Sequence, residues 1–272
     1  MLWGIPYLLM KNAVEDFPPA AVVAGRTLIG ASILIPIAIY RKKFGGAVLG
    51  FKYVAFYALM EMIGPWILIT TAEQKIDSGL AGLLVSTVPI FATIITSLRG
   101  DHSVWQFKRI LGIIVGFIGL ILVVGIESLS GNSDPLSIAM VIVASMGYAY
   151  AVIMVTTNLP LVDGIAINGL AMAITTVSWA PVAISQWPSS VSVKASLSLI
   201  ALGVFSTAIA FILFFKVIAE IGPARSSLVT YMNTAIAVVL GVIILREPLT
   251  AGIILGLPLV LIGSYLASRK SA

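Results

Sequence analysis

Long apolar runs, cut at near-regular intervals by short clusters of charge, glycine and proline, fill the chain from one end to the other. The runs are apolar on both strand phases, so they predict membrane-crossing helices and not the strict alternation of a membrane barrel. Ten spans follow, at roughly 1–14, 18–40, 52–74, 77–98, 105–126, 136–157, 164–186, 196–219, 222–245 and 249–268. At 1.5 Å per residue, about 20 residues match a hydrocarbon core about 30 Å thick. The first span is the exception, because Lys11 interrupts it too early for it to cross alone. The predicted fold class is an all-α polytopic membrane protein.

Composition sharpens this reading. Of 272 residues, 60% are hydrophobic and 10% charged, and the mean hydropathy is +1.11. A soluble domain carries about a quarter of its residues as charges, which excludes that class. With no cysteine, disulfides and thiolate chemistry are excluded, and His102 has no second imidazole with which to share a metal. No cofactor or metal is expected. A net charge of +5 would suggest a nucleic-acid partner in a soluble protein. In a membrane chain it reflects lysine and arginine facing the cytoplasm and its anionic lipids. Met1-Leu2-Trp3-Gly4 has no basic leader or small-residue cleavage site, so no cleavable signal peptide is expected.

The basic residues are also sided. With a cytoplasmic N-terminus, the inner loops and tail hold ten of them, among them Arg41, Lys42, Lys43, Lys52, Arg99, Lys108 and Arg109. The outer loops hold four: Lys11, Lys75, Lys194 and Arg246. Both termini are therefore expected in the cytoplasm.

The chain resembles itself at a shift of 145 residues. KIDSGLAGLLVSTVP (75–89) lies against EIGPARSSLVTYMNT (220–234), and PWILIT (65–70) against AFILFF (210–215). Each repeat would hold five spans, an odd number, so equivalent loops fall on opposite sides. The loops after the second and fourth spans carry seven Lys/Arg, and their counterparts only Lys194 and Arg246. One pattern with opposite charge bias is the mark of inverted repeats, here 1–134 and 135–272, each a five-helix unit.

WGIPYLLMK near the start, RTLIG, SGLAGLLVSTVPIF and the ending LREPLTAGIILGLPLVLIGSYLA resemble the drug/metabolite transporter superfamily, and within it the EamA branch of duplicated ten-helix proteins. Among these, the aromatic amino acid exporters of the YddG type are the most similar. The resemblance implies a bacterial inner-membrane carrier of small organic metabolites with a central cavity between the repeats. Two departures stand out: RGDHS replaces the acidic residue expected after the fourth span, and the first span begins late.

Candidate site residues come from polar or aromatic groups at depth. Glu61 lies mid-span, and Pro65 leaves the Glu61 carbonyl without its partner one turn on. The pair could bind an ammonium or carry a proton in a wet cavity, or Glu61 could be a structural carboxylate. Its repeat counterpart is Ser206. Arg26 could hold a substrate carboxylate, snorkel outward, or pair with Glu15, Asp16 or Glu61. Pro89 frees the Val85 carbonyl beside Ser86. The repeat counterpart of that stretch holds Tyr231 and Asn233, which suggests opposite walls of one cavity. Among the deep aromatics, Tyr7 is placed opposite Tyr150 between the repeats, and Trp66 opposite Phe211. Such rings stack on an aromatic substrate or serve as packing. Gly112, Gly116 and Gly119, with Gly252, Gly256 and Gly263, mark the fifth and tenth spans as scaffold helices or an oligomer seam.

These features point to a secondary transporter exporting small metabolites, amino acids above all, by alternating access. A multidrug carrier or a non-transporting scaffold remains open. A protease or hydrolase would need an aspartate pair, HExxH or Ser with His, which the spans do not supply, so no enzyme is expected. The expected partners are a small-molecule substrate and membrane lipid, with the chain a monomer or homodimer.

Overall fold

The computed structural model describes residues 2–100, 106–129, 134–221 and 228–268, and leaves outside that description the side chains of 124–129, 218, 219, 221, 228–232 and 268. Every described element is helical. In chain order they are α1 (Pro6–Ala13), α2 (Pro19–Tyr40), α3 (Phe44–Leu49), α4 (Phe51–Ala58), a π-helical segment Leu59–Ile63, α5 (Gly64–Ala72), α6 (Ser78–Val85), α7 (Val88–Leu98) and α8 (Phe107–Leu129). There follow α9 (Pro135–Asn158), α10 (Gly164–Ser185), α11 (Val193–Ala201), a second π-helical segment Leu202–Ile209, α12 (Ala210–Ile221), α13 (Leu228–Ile243) and α14 (Ala251–Ser268).

Among the described residues, six helical stretches of 21–25 residues are long and apolar enough to cross a bilayer, with mean hydropathies of 1.5–2.4. They include Pro19–Tyr40, Phe51–Ala72 and Gly164–Ser185. Their outer faces expose large apolar side chains such as Leu28, Val143 and Leu197, which water would penalise and lipid accepts. The chain is a multi-pass, all-helical membrane protein.

Local sequence explains where the helices begin. Pro6, Pro19 and Pro135 stand in the first turns of α1, α2 and α9, where a missing N–H costs nothing. Asp163 caps α10 by accepting from Ile165 N (2.9 Å) and Ala166 N (3.1 Å), and Ser192 caps α11 by accepting from Ala195 N (3.1 Å). The prolines inside the third and fourth spans interrupt them. Around Pro65 the kink is spread over the π-segment Leu59–Ile63, which contains Glu61, so Pro65 falls in the first turn of α5. Around Pro89 the helix breaks at Ser86–Thr87, and both hydroxyls bond back to their own helix, on Leu83 O and Leu84 O (each 2.6 Å).

The most extensive packing joins α8 to α14 and α2 to α10, followed by α5 with α9 and α6 with α13. The glycines of α8 and α14 face each other within the chain: a methyl on Gly119 would stand 2.7 Å from Val260 N, and one on Gly263 would strike the Gly116 backbone. The glycine ridge is thus an intramolecular scaffold contact.

The bundle has two unlike ends. At one, Lys11 Nζ donates to Ile76 O (2.6 Å), Lys194 pairs with Glu15 (2.8 Å), and Ser192 N donates to Asp16 (2.8 Å). Glu247 there accepts from Ser78 N (2.8 Å), Ser78 Oγ (2.9 Å) and Gly79 N (3.1 Å). It thereby caps α6, at whose N-cap Asp77 forms no side-chain capping bond. At the other end the 41–50 connection meets the 159–163 connection, with Gly50 against Leu159 and Gly46 against Val162.

Candidate functional site

A cavity of about 760 Å³ occupies the middle of the bundle, walled by α1, α2, the α4–α5 span, α6, α9, α10, α12 and α13. It reaches exposed residues at the 159–163 end, Thr156 and Pro160 among them. Toward the Lys11–Ile76 end it stops at Met10 and Ile69. Beyond these, Ala13, Phe17, Ala72, Ile76 and Leu80 are packed shut.

The π-segments aim the polar groups. In an uninterrupted helix, residues 57, 61 and 64–65 share a face; the extra residue of the first π-segment carries Trp66 round beside Tyr57 and Glu61. Trp179 Nε1 donates to Ile63 O (3.0 Å), which fixes the widened turn. The second π-segment presents Thr207 to Arg26.

Arg26 is 5% exposed and is the cavity's one cation among the described residues. Its guanidinium carbon lies 3.8 Å over the Trp66 ring. Nε and Nη2 both donate to Thr207 Oγ1 (3.3 and 3.2 Å), and Nη1 to Met10 Sδ (3.6 Å). Among the described residues no carboxylate pairs with it. A buried guanidinium held by a ring, one hydroxyl and a thioether keeps unused donors, so it can accept an anionic partner. Glu61 is the complementary group: it lines the same cavity and its Oε2 is buried without a hydrogen-bond partner. Asn233 Oδ1 is likewise unpartnered. Tyr57 OH, in contrast, is fixed on Asn168 Oδ1 (3.1 Å). Aromatic rings cover one wall, with Trp3 4.6 Å from Phe214 and 5.2 Å from Phe211.

Six of the residues singled out in the sequence meet here: Tyr7, Arg26, Glu61, Trp66, Phe211 and Asn233. Two do not. Ser86 is buried away from the cavity, its hydroxyl taken by Leu83 O and its carbonyl by Ser264 Oγ (2.8 Å). Tyr150 points outward to Phe56, 5.8 Å between ring centres, and Val152, which stands 145 residues after Tyr7, takes the lining position instead. Tyr231's side chain lies outside the described residues. Arg26 neither snorkels nor pairs with Glu15 or Asp16, which are engaged by Lys194 and Ser192. Sequence reasoning passed over Asn168, Thr207 and Met10. The first carries a signal, a lone amide within an apolar span; the others resemble ordinary helix residues.

Comparison with known proteins places the chain in a family. The model of the EamA-like transporter family matches residues 1–125 and 135–269. The chain is 26% identical to "Uncharacterized transporter YoaV" of Bacillus subtilis (strain 168), over 98% of this chain and 92% of that protein. It is 25% identical to "Uncharacterized inner membrane transporter YedA" of Escherichia coli (strain K12), over 99% and 90%. A solved crystal structure, 17% identical, shares the fold with a TM-score of 0.66 over 98% of this chain and 93% of that one. The chain belongs to the EamA-like transporter family.

Proposed function

We propose that the protein is a secondary carrier that exports small organic metabolites, neutral and aromatic amino acids above all, through the central cavity by alternating access. The observation that carries this reading is the coexistence, in one aromatic-walled cavity, of a guanidinium with spare donors and an unpartnered carboxyl, Arg26 and Glu61. A zwitterion offers a carboxylate to the first and an ammonium to the second, and an apolar side chain suits Trp3, Phe211 and Phe214. The volume falls within the range of small-ligand sites.

Two five-helix halves, 1–134 and 135–272, inverted to one another, supply the two states. In support, α2 and α10 share a length of 22 residues and begin 145 apart, and π-segments interrupt the α4–α5 and α11–α12 stretches at matching positions. The basic cluster Arg41–Lys43 lies on the connection that meets 159–163, so the cavity in this state faces the cytoplasm, as an exporter awaiting substrate requires.

Purified protein in liposomes tests the reading. Radiolabelled L-phenylalanine should enter saturably, with competition from tryptophan, tyrosine and leucine stronger than from lysine or glutamate. Flux no greater than in protein-free liposomes across the amino-acid panel would refute it.

A further inference from the structure

Glu73 directly follows α5 and takes no part in the cavity. It is 0% exposed, and neither of its oxygens has a hydrogen-bond partner among the described residues. It lies within the shut end, among charged and titratable groups from every side. Lys11 on α1 opposes its charge; Glu247 from the α13–α14 connection and Asp77 before α6 share it. Tyr7 on α1, which lines the cavity, feels the charges of both Glu73 and Arg26 on α2. None of these satisfies Glu73 in this state. The Lys11 ammonium donates to the Ile76 carbonyl at 2.6 Å and makes no bond to Glu73, and both Glu247 oxygens accept from Ser78 and Gly79.

A carboxylate removed from water without a donor is far costlier than a neutral carboxyl in the same place, and two like charges nearby add to the cost. Opening this end would admit water and free Lys11, and both changes favour the ionised form. We infer that Glu73 is a proton-binding site at the end opposite the substrate opening, and that this end seals only with one proton bound there. In the step, a hydronium ion from the compartment on that side gives its proton to a Glu73 carboxylate oxygen and leaves as water. Lys11 gives up its charged partner and turns to the Ile76 carbonyl. The inference rests on the alternating-access reading above but is testable without a substrate.

The chain has no cysteine, so Ala13→Cys places a single thiol in the packed seal. The reconstituted protein is labelled with a membrane-impermeant maleimide at several pH values, each rate divided by that of the unfolded protein at the same pH. The normalised rate should be about tenfold higher on the alkaline side of a single one-group titration than on its acid side, as that group ionises and the end opens. In a Glu73→Gln background it should stay low and flat. Lys11→Gln, which keeps a donor for Ile76 but removes the charge that favours ionised Glu73, should move the midpoint to higher pH. A flat profile with Glu73 present, an unchanged profile in Glu73→Gln, or an unmoved midpoint in Lys11→Gln would overturn the inference. L-phenylalanine flux in the same liposomes separates the two ideas. Glu73-dependent labelling without flux sinks only the transport reading, and flux with flat labelling sinks only the proton site.

Discussion

The two ends of the cavity are built on opposite plans. The end at 159–163 is lined to the surface, and its loops meet through apolar contacts of Gly46 and Gly50 with Val162 and Leu159. The other is closed twice over: an inner plug of packed apolar side chains, and an outer set of polar bonds between loops distant in sequence. Both ion pairs found among the described residues, Lys194–Glu15 and Lys75–Asp134, belong to that end. Exposed bonds of this kind contribute little each and can be exchanged for water at little cost. A seal of many weak bonds over a dry plug is suited to opening, whereas a seal of buried ion pairs would hold.

The sharpest break in the comparison is to make the closed end unable to open. Glu15→Cys with Lys194→Cys, joined by a short bismaleimide, should abolish L-phenylalanine flux, while either single variant retains it within about five-fold, the most an exposed ion pair is worth. Full flux in the cross-linked protein would mean that this end never parts. Next in size is Arg26→Ala. Loss of hydrogen bonds to a charged group removes about 1.5–3 kcal/mol, so the apparent affinity measured by competition should fall about 10- to 150-fold. Arg26→Lys should recover only part, since an ammonium lacks the planar fork. Smaller again, and of another kind, is Gly263→Leu. It forces side chain into the Gly116 backbone at the α8–α14 seam, remote from both ends, and should cost about 1–3 kcal/mol of stability. A lowered unfolding temperature in detergent with unchanged substrate affinity is the expected result.

How much of this was legible in the sequence depends on what each feature rests on. The helices were, because hydropathy over some 20 residues and proline or aspartate at helix starts are local signals: Pro19–Tyr40 and Gly164–Ser185 fall within a residue of their expected bounds. Glu61, Arg26 and Trp66 were, because a charge or a large ring inside an apolar span announces itself. The π-segments were not, since a proline tells that a helix is disturbed and not how the ladder recovers; yet that recovery brings Trp66 onto the cavity wall. Ser86 and Tyr150 misled because depth along a span does not say which way a side chain points. Glu73 was hidden by its position at a span end, where a carboxylate normally meets water. Its burial is a tertiary effect, produced where Lys11 of α1 and Glu247 of the 244–250 connection are brought near it.

The smallest expected effect sets the two carboxyls of the closed end against each other. Asp16 is half-buried, and its bonds from Ser192, with the Lys194 charge adding less, hold its carboxyl below the ordinary value of 3.8. A carboxylate lowered by folding contributes to the sealed state above that ordinary value, and the contribution is lost as pH falls through the lowered one. Acid therefore loosens this end through Asp16, while at higher pH acid tightens it through Glu73. The sealed population should accordingly be largest between the two titrations. Spin labels on Gln74→Cys and Ser190→Cys, both exposed at this end, should report the shorter distance over that middle range. Asp16→Asn should blunt only the change below about pH 4, and Glu73→Gln only the change on the alkaline side. A single limb that either variant removes entirely would mean that one carboxyl governs the end and that the other is a bystander.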